Sequence, residues 1–199
     1  MHAKYGIGFS QMEITMAVLG DLDRYMDEDG TLLDHLTPQF ATPCHDQSTF
    51  DLYERNFGVT LPKMFCTVMS ANSSAVLCAV YLHPDLPVAD NEYFVWRLAT
   101  IGRHKYKEPR DLLVRTEFEH HNTRSIPKKV IVFGFDYREW PIYLDLTDGA
   151  DGRIVVHSDD NRLPRPDWTD FDAPNPCAYV ASGFSQFISN LTSDPNPPL

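Results

Sequence analysis

Two adjacent histidines, His120 and His121, lie among carboxylates and belong to the residue types that bind metal ions. The nearest carboxylates are those of Asp111, Glu117 and Glu119. Consecutive side chains on a helix point about 100° apart, whereas a helical histidine pair that binds one ion is spaced four residues apart. The spacing therefore favours a structural or solvent-exposed role, and the sequence predicts no metal site.

Four further carboxylates, those of Asp145, Asp148, Asp159 and Asp160, are of the type that serves in general acid–base catalysis. No catalytic pair can be singled out, because the carboxylates are numerous and lie mostly in predicted loops. This favours solvent-exposed surface charge over a catalytic role. Residues 148–152 resemble a calcium loop in composition, but the distal glutamate and the alternating ligand series are absent. No G-x-S-x-G motif or glycine-rich phosphate loop occurs. We therefore predict that the protein is not an enzyme and has no cofactor.

The charge of the chain is strongly negative and unevenly distributed. The net charge of the 199 residues is −11. Residues 1–54 contain ten acids and two bases, residues 55–135 seven acids and eleven bases, and residues 136–199 eleven acids and four bases. This distribution argues against nucleic-acid binding, which requires phosphate neutralisation, and favours a basic protein partner. The alternative is that the acids only keep the protein soluble.

The sequence also predicts where the protein is located. No apolar run approaches the roughly 20 residues of a membrane-spanning helix, and the N-terminus lacks the pattern of a signal peptide. We therefore expect a cytoplasmic protein that does not contact a membrane. Its four cysteines, Cys44, Cys66, Cys78 and Cys177, are scattered without a C-x-x-C pair, and we expect all four to be reduced.

The elements that must position these side chains are clearest in residues 126–191. Three strand-like runs, residues 130–135, 142–146 and 153–157, are rich in β-branched and aromatic side chains. The glycine-containing turn 147–152 joins the last two runs as a hairpin. A helix then follows, with Ser182 as its N-cap. Its apolar stripe has the spacing i, i+3, i+4, i+7 and consists of Phe184, Phe187, Ile188 and Leu191. We expect Phe184 and Phe187 to be buried against the sheet formed by Ile131, Phe133, Tyr143 and Val155.

Upstream, the pattern predicts a helix over residues 48–58 and another that begins at Pro62. Residues 74–82 fit either a strand or a continuation of that helix, residues 93–101 fit a strand, and a short helix begins at Pro109 and extends to about Phe118. The predicted fold is α+β: a mainly antiparallel sheet of about five or six strands packed against helices. We expect the chain to divide into three regions: an acidic helical extension packed on the core (1–47), the domain (48–192) and a tail (193–199).

Several of these segments, in this order and spacing, resemble the SMI1/KNR4 family, also called the SUKH superfamily. The segments are Phe133-Gly134, Ile142-Tyr143-Leu144-Asp145-Leu146, Gly152-Arg153-Ile154-Val155 and Tyr179-Val180-Ala181-Ser182-Gly183-Phe184-Ser185-Gln186-Phe187, preceded by Phe57-Gly58-Val59-Thr60-Leu61-Pro62-Lys63-Met64-Phe65. The chain departs from the family in lacking the Gly-rich connection that often follows the Phe-Gly pair, and an aromatic residue near His157. Both departures concern surface detail more than the fold.

The resemblance implies a binding role, because bacterial members of this family are mostly immunity proteins that neutralise a cognate polymorphic toxin, often a nuclease. We therefore predict a toxin-neutralising immunity protein whose partner has a basic surface. A regulatory or scaffold module that binds proteins is one alternative. A small metal-dependent hydrolase that uses His120 and His121 is another.

We expect the partner to bind one acidic edge formed by the turn 148–152 and the loop 159–172, since both loops leave and re-enter the same sheet. The predicted partner-binding residues are Asp148, Asp151, Asp159, Asp160, Trp168 and Asp170. Trp168 is either an aromatic anchor for the partner or a side chain that fills a gap beneath a proline-rich loop.

Overall fold

The computed structural model describes residues 47–86, 92–102, 107–122, 126–149, 151–169 and 176–193. Within these ranges the chain forms four helices and seven strands. In chain order they are α1 (Gln47–Phe57), α2 (Lys63–Ala71), β1 (Val76–Leu82), β2 (Glu92–Leu98), α3 (Leu112–Asn122), β3 (Val130–Phe135), β4 (Pro141–Asp145), β5 (Arg153–His157), β6 (Cys177–Ala181), α4 (Phe184–Ser189) and β7 (Leu191–Ser193). The predicted extension over residues 1–47 lies almost wholly outside the described residues.

The strands form one sheet in the order β6-β5-β4-β3-β2-β1-β7, and every neighbouring pair is antiparallel. This confirms the predicted α+β class and the mainly antiparallel sheet. The sheet has seven strands where five or six were expected. None of the described helices combines the length and the apolar character that crossing a membrane requires.

Most upstream elements lie where the pattern placed them. The first two predicted helices are α1 and α2, and residues 74–82, which fitted either a strand or a helix, contain β1. Helix α3 begins at Leu112, after the predicted start at Pro109, because the Asp111 carboxylate caps it there. Its Oδ1 atom accepts hydrogen bonds from the amides of Leu113 (3.0 Å) and Val114 (3.3 Å).

The prediction for the last helix was wrong at both ends. The N-cap of α4 is Gly183, with no side-chain cap, and Ser182 instead donates from its hydroxyl to Oε1 of Gln186 (2.7 Å). The helix ends before Leu191, because this residue pairs with Tyr81 of β1 and begins strand β7. Leu191 is buried, as the apolar stripe predicted, but in a strand.

The aromatic core confirms the burial predicted for Phe184 and Phe187 and corrects part of its surroundings. Both side chains are fully buried and pack their rings against Phe133 at centroid distances of 5.5 and 5.9 Å. Tyr143 and Val155, which were expected beside them, pair with each other across β4 and β5. The Tyr143 hydroxyl is hydrogen-bonded to a residue of α3, so this pair faces the opposite side of the sheet.

Candidate functional site

A groove opens where strands β2 and β3 diverge. Only Arg97 and Leu98, at the end of β2, pair with β3, so the beginning of β2 separates from the neighbouring strand. The resulting cavity has a volume of about 570 Å³. Its walls come from the beginning of β2, the β3–β4 turn (residues 136–140) and the end of β5. The curvature of the sheet thus brings together three segments that are distant in sequence.

Aromatic side chains form the walls of this groove. Phe94 lies 5.1 Å from Tyr137 between ring centroids, and Trp140 lies 5.1 Å from His157. Phe94 is 39% exposed and is one of three large apolar side chains exposed in the described ranges. The Tyr93 hydroxyl is hydrogen-bonded to Ser158, and burial raises the pKa of this tyrosine. That bond joins the β2 wall to the end of β5.

Local hydrogen bonds fix the turn that carries Trp140. The Asp136 carboxylate accepts from the backbone amides of Arg138 (2.7 Å) and Trp140 (2.9 Å). Glu139 has a positive φ of 60° and forms an ion pair with Arg110 at 3.0 Å. The Arg138 guanidinium lies 5.0 Å from the Trp140 ring centroid, which shows that this indole face accepts a cation.

The groove is acidic. Four carboxylates line it, those of Glu92, Asp136, Asp159 and Asp160, together with one guanidinium, that of Arg138. Hydrogen bonds from Arg162 hold the pKa of Asp160 at about 2, so this carboxylate is ionised and already paired. Glu92 and Asp159 are exposed, and their carboxylates form no hydrogen bond or ion pair with any residue in the described part of the chain. These two acids are therefore open to an external cation.

Asp148 and Trp168, two of the predicted partner-binding residues, converge on the buried Asp145. The side chain of Asp145 accepts hydrogen bonds from the Tyr179 hydroxyl (2.7 Å), the Trp168 indole (3.3 Å) and the Thr147 hydroxyl (2.6 Å). Burial alone would raise the pKa of Asp145, but these hydrogen bonds hold it below its ordinary value. Arg153 contacts Asp145 at 3.9 Å and Asp148 at 2.6 Å. This network ties the loop after β5 to the β4–β5 hairpin.

The other predicted residues lie elsewhere. Asp159 and Asp160 line the groove, one strand length (about 15 Å) from the hairpin turn. Asp151 is exposed beside α4, where its carboxylate accepts from the Ser185 hydroxyl at 3.1 Å. Asp170 lies outside the described residues. The expected single acidic edge is therefore divided between two ends of β5, and the partner-binding role of these residues stays a prediction.

His120, one of the two histidines considered as metal ligands, has structural contacts. The Nε2 atom of His120 is hydrogen-bonded to the carbonyl oxygen of Val130 (2.8 Å), and its ring packs on Phe57. Glu119 is ion-paired with Arg115 at 2.8 Å. Among the described residues, no group of three or more histidine, cysteine or carboxylate side chains is arranged to hold a metal ion.

A cysteine–histidine contact was missed by the sequence reasoning. The Cys177 sulfur lies 3.8 Å from Nδ1 of His157, but burial raises the pKa of Cys177 to about 11. A nucleophilic cysteine needs a lowered pKa and access to substrate, and Cys177 is buried, so this pair lacks both properties. The aromatic groove was also missed, because no local periodicity relates Phe94 to Trp140.

A second concavity of about 820 Å³ lies between α1 and the β4–β5 hairpin. Its charged residues are two acids, Asp51 and Glu54, and two bases, Arg55 and Lys129, so the charges cancel. Glu54 already accepts a hydrogen bond from the Leu61 amide at 2.8 Å. This surface has no preference for a partner of either charge.

Comparison with known proteins connects this architecture to a family. A sequence model of the SMI1 / KNR4 family (SUKH-1) matches residues 46–190. The matched range contains all four described helices and strands β1 to β6. A search of curated proteins finds no match.

Proposed function

The chain belongs to the SMI1 / KNR4 family (SUKH-1), and from this membership we propose that it is an immunity protein that binds and neutralises a cognate protein toxin. The family is known for immunity-type proteins and is generally non-catalytic. Neutralisation by binding requires a complementary surface and no chemistry. The toxin we propose is bacterial and carries a basic surface, as a nuclease does around its substrate cleft.

The acidic groove is the observation that carries this proposal. It combines an aromatic wall, in which Phe94 is exposed, with the two open carboxylates of Glu92 and Asp159. Aromatic side chains are among those that dominate the affinity of protein interfaces. The net charge of −11 also attracts a basic protein to the chain as a whole. Complementary electrostatic fields increase the rate of association and disfavour partners of the wrong charge. An acidic chain of this kind favours a basic protein over a nucleic acid.

Within the predicted partner-binding set, the contacts support different roles for different residues. Asp159 and Asp160 both line the groove; Asp159 is proposed to contact the toxin directly, and Asp160 to contact it together with its paired Arg162. Asp148 has a side chain 70% exposed and Asp151 is exposed, so both add to the acidic surface beyond the groove. The indole of Trp168 is hydrogen-bonded to Asp145 and packs on Tyr143, which favours the gap-filling alternative over the anchor.

The experiment that tests this function takes its candidate toxin domain from the genes that adjoin the gene of this chain. The toxin domain is expressed alone and together with the full chain, growth is followed, and purified complexes are measured by calorimetry. We expect the toxin to arrest growth, the chain to restore it, and a stable complex to form. If growth arrest persists and the two proteins do not bind, the proposed function is wrong.

A further inference from the structure

We propose that the groove between β2, the β3–β4 turn and the end of β5 receives an arginine or lysine side chain of the toxin. This proposal rests on the proposed function and names the chemistry of the contact. In the proposed complex the cation lies between the carboxylates of Glu92 and Asp159, and its aliphatic stem packs on the rings of Phe94 and Tyr137.

The shape of the groove fits a side chain that inserts. A volume of about 570 Å³ lies within the range of roughly 300–1,000 Å³ that ligand pockets span, so it accommodates a long side chain and part of the adjoining backbone. The walls are held by contacts within the chain, namely the Tyr93–Ser158 hydrogen bond and the bonds from Asp136 to the turn. The groove is therefore formed before the partner arrives, which lowers the entropic cost of binding.

The charges of the groove select a cation. Asp160 is ion-paired with Arg162, and the Arg138 guanidinium lies over the Trp140 ring, whereas the carboxylates of Glu92 and Asp159 have no partner among the described residues. An unpaired carboxylate beside an aromatic wall is the combination that binds guanidinium and ammonium groups. A second copy of this chain does not fit, since two molecules with a net charge of −11 repel each other.

The aromatic side chains already show the expected mode of contact. The guanidinium of Arg138 lies over the Trp140 ring at 5.0 Å, at the side of the groove. The partly exposed ring of Phe94 has no such cation above it in the described structure, although Tyr137 packs against one side of it. A toxin arginine whose aliphatic stem packs on Phe94 would bring a second guanidinium beside an aromatic wall of this groove, as Arg138 does at Trp140.

A short peptide tests the contact without the toxin. The full chain, labelled with nitrogen-15, is titrated with acetyl-Gly-Arg-Gly-amide and with the same peptide in which neutral citrulline replaces arginine. We expect the arginine peptide to shift the Trp140 indole resonance and the amide resonances of Glu92 and Asp159, and the citrulline peptide to leave them unchanged. If neither peptide shifts these resonances, or both shift them equally, the proposal is wrong.

Single-charge variants locate the contact. Glu92→Gln and Asp159→Asn should each lower the affinity of the chain for the arginine peptide about fivefold. An exposed ion pair contributes little more than this to a binding free energy. Glu117→Gln is the matched control, because Glu117 is exposed on α3 and does not line the groove. Unchanged affinity in both groove variants, or equal loss in the control, contradicts the proposal. Because all three changes lie at exposed carboxylates, the fold should be retained, and the amide spectrum reports this directly.

The same variants separate this inference from the proposed function. If the chain neutralises a toxin but Glu92→Gln and Asp159→Asn bind it as tightly as the parent chain, the groove inference fails and the function stands. If no toxin is bound but the arginine peptide occupies the groove, the function fails and the cation site stands.

Discussion

Replacing Asp145 by asparagine tests how the structure holds the loop that carries Asp159 and Asp160. Asp145 is only 1% exposed, and three neighbouring side chains donate hydrogen bonds to it. Asparagine keeps the size of the side chain but removes the charge. Its amide nitrogen is itself a donor, so it cannot accept the hydrogen bonds that one of the carboxylate oxygens accepts in the parent chain. A hydrogen bond to a charged group contributes about 1.5–3 kcal/mol, and partial replacement by the amide oxygen leaves a net loss of about 3 kcal/mol.

The assay is urea unfolding of the full chain, followed by far-ultraviolet circular dichroism at pH 7. We expect Asp145→Asn to lower the free energy of unfolding by about 3 kcal/mol, which corresponds to a melting temperature lower by about 10 °C. Asp148→Asn is the matched control. It removes the same charge and the ion pair with Arg153, but this side chain is 70% exposed, so the expected loss is below about 1 kcal/mol.

The pH dependence provides a second, independent test of the same network. The pKa of Asp145 lies below its ordinary value of 3.8 in the folded protein, so the folded state binds this proton less readily than the unfolded state. Its contribution is therefore complete above about pH 4 and is lost as the pH falls through the folded-state value. The difference between the parent chain and Asp145→Asn should shrink below pH 4. A difference that stays constant down to pH 3, or a loss at pH 7 no larger than that of Asp148→Asn, would refute the reasoning.

The remaining predictions concern the core, the thiols and the toxin surface. Phe187→Ala should lower the free energy of unfolding by about 3–5 kcal/mol, because the ring is fully buried against Tyr81 and Phe133; a urea-measured loss below about 1 kcal/mol would mean that α4 is not docked. Thiol titration of the unfolded, unreduced protein should find four free groups, and two or fewer would contradict the predicted reduced state. Replacing Asp159 and Asp160 together by asparagine should slow association with the toxin and flatten its salt dependence, as measured by stopped-flow kinetics. Trp168→Ala should mainly lower the free energy of unfolding, because the indole is hydrogen-bonded to Asp145 and packs on Tyr143; a loss of toxin affinity of about 2 kcal/mol or more at unchanged stability would instead mean that it is an anchor.

Local side-chain patterns in the sequence predicted most of the elements. Strand β3 has a run of β-branched and aromatic residues, and the turn between β4 and β5 contains two glycines, one of which, Gly152, has a φ of +66° that other residues rarely adopt. These signals act between residues close in sequence, so they can be interpreted without tertiary structure. The family resemblance depended on the order of the same segments and was confirmed.

Where tertiary contacts compete with a local pattern, the pattern predicted the burial of a residue but not its conformation. Leu191 has the spacing of a helical core residue, yet it forms a strand because β1 offers an unpaired edge. Tyr143 and Phe133 are both buried in neighbouring strands, but a register shift between Val132 and Gly134 decides which face each one occupies. A bulge of this kind adds one residue and leaves no distinct mark in composition.

The sequence by itself determined that this chain is an acidic α+β domain of the SMI1 / KNR4 family, because charge and strand patterns are properties of individual segments. Only the tertiary structure decided which of the acids are paired within the chain. It pairs Asp160 with Arg162, engages Asp148 with Arg153, and leaves Asp159 open beside aromatic rings from β2 and from the β3–β4 turn. The physical reason is that the separation of β2 from β3, on which the groove depends, is set by pairing between strands more than thirty residues apart in the chain.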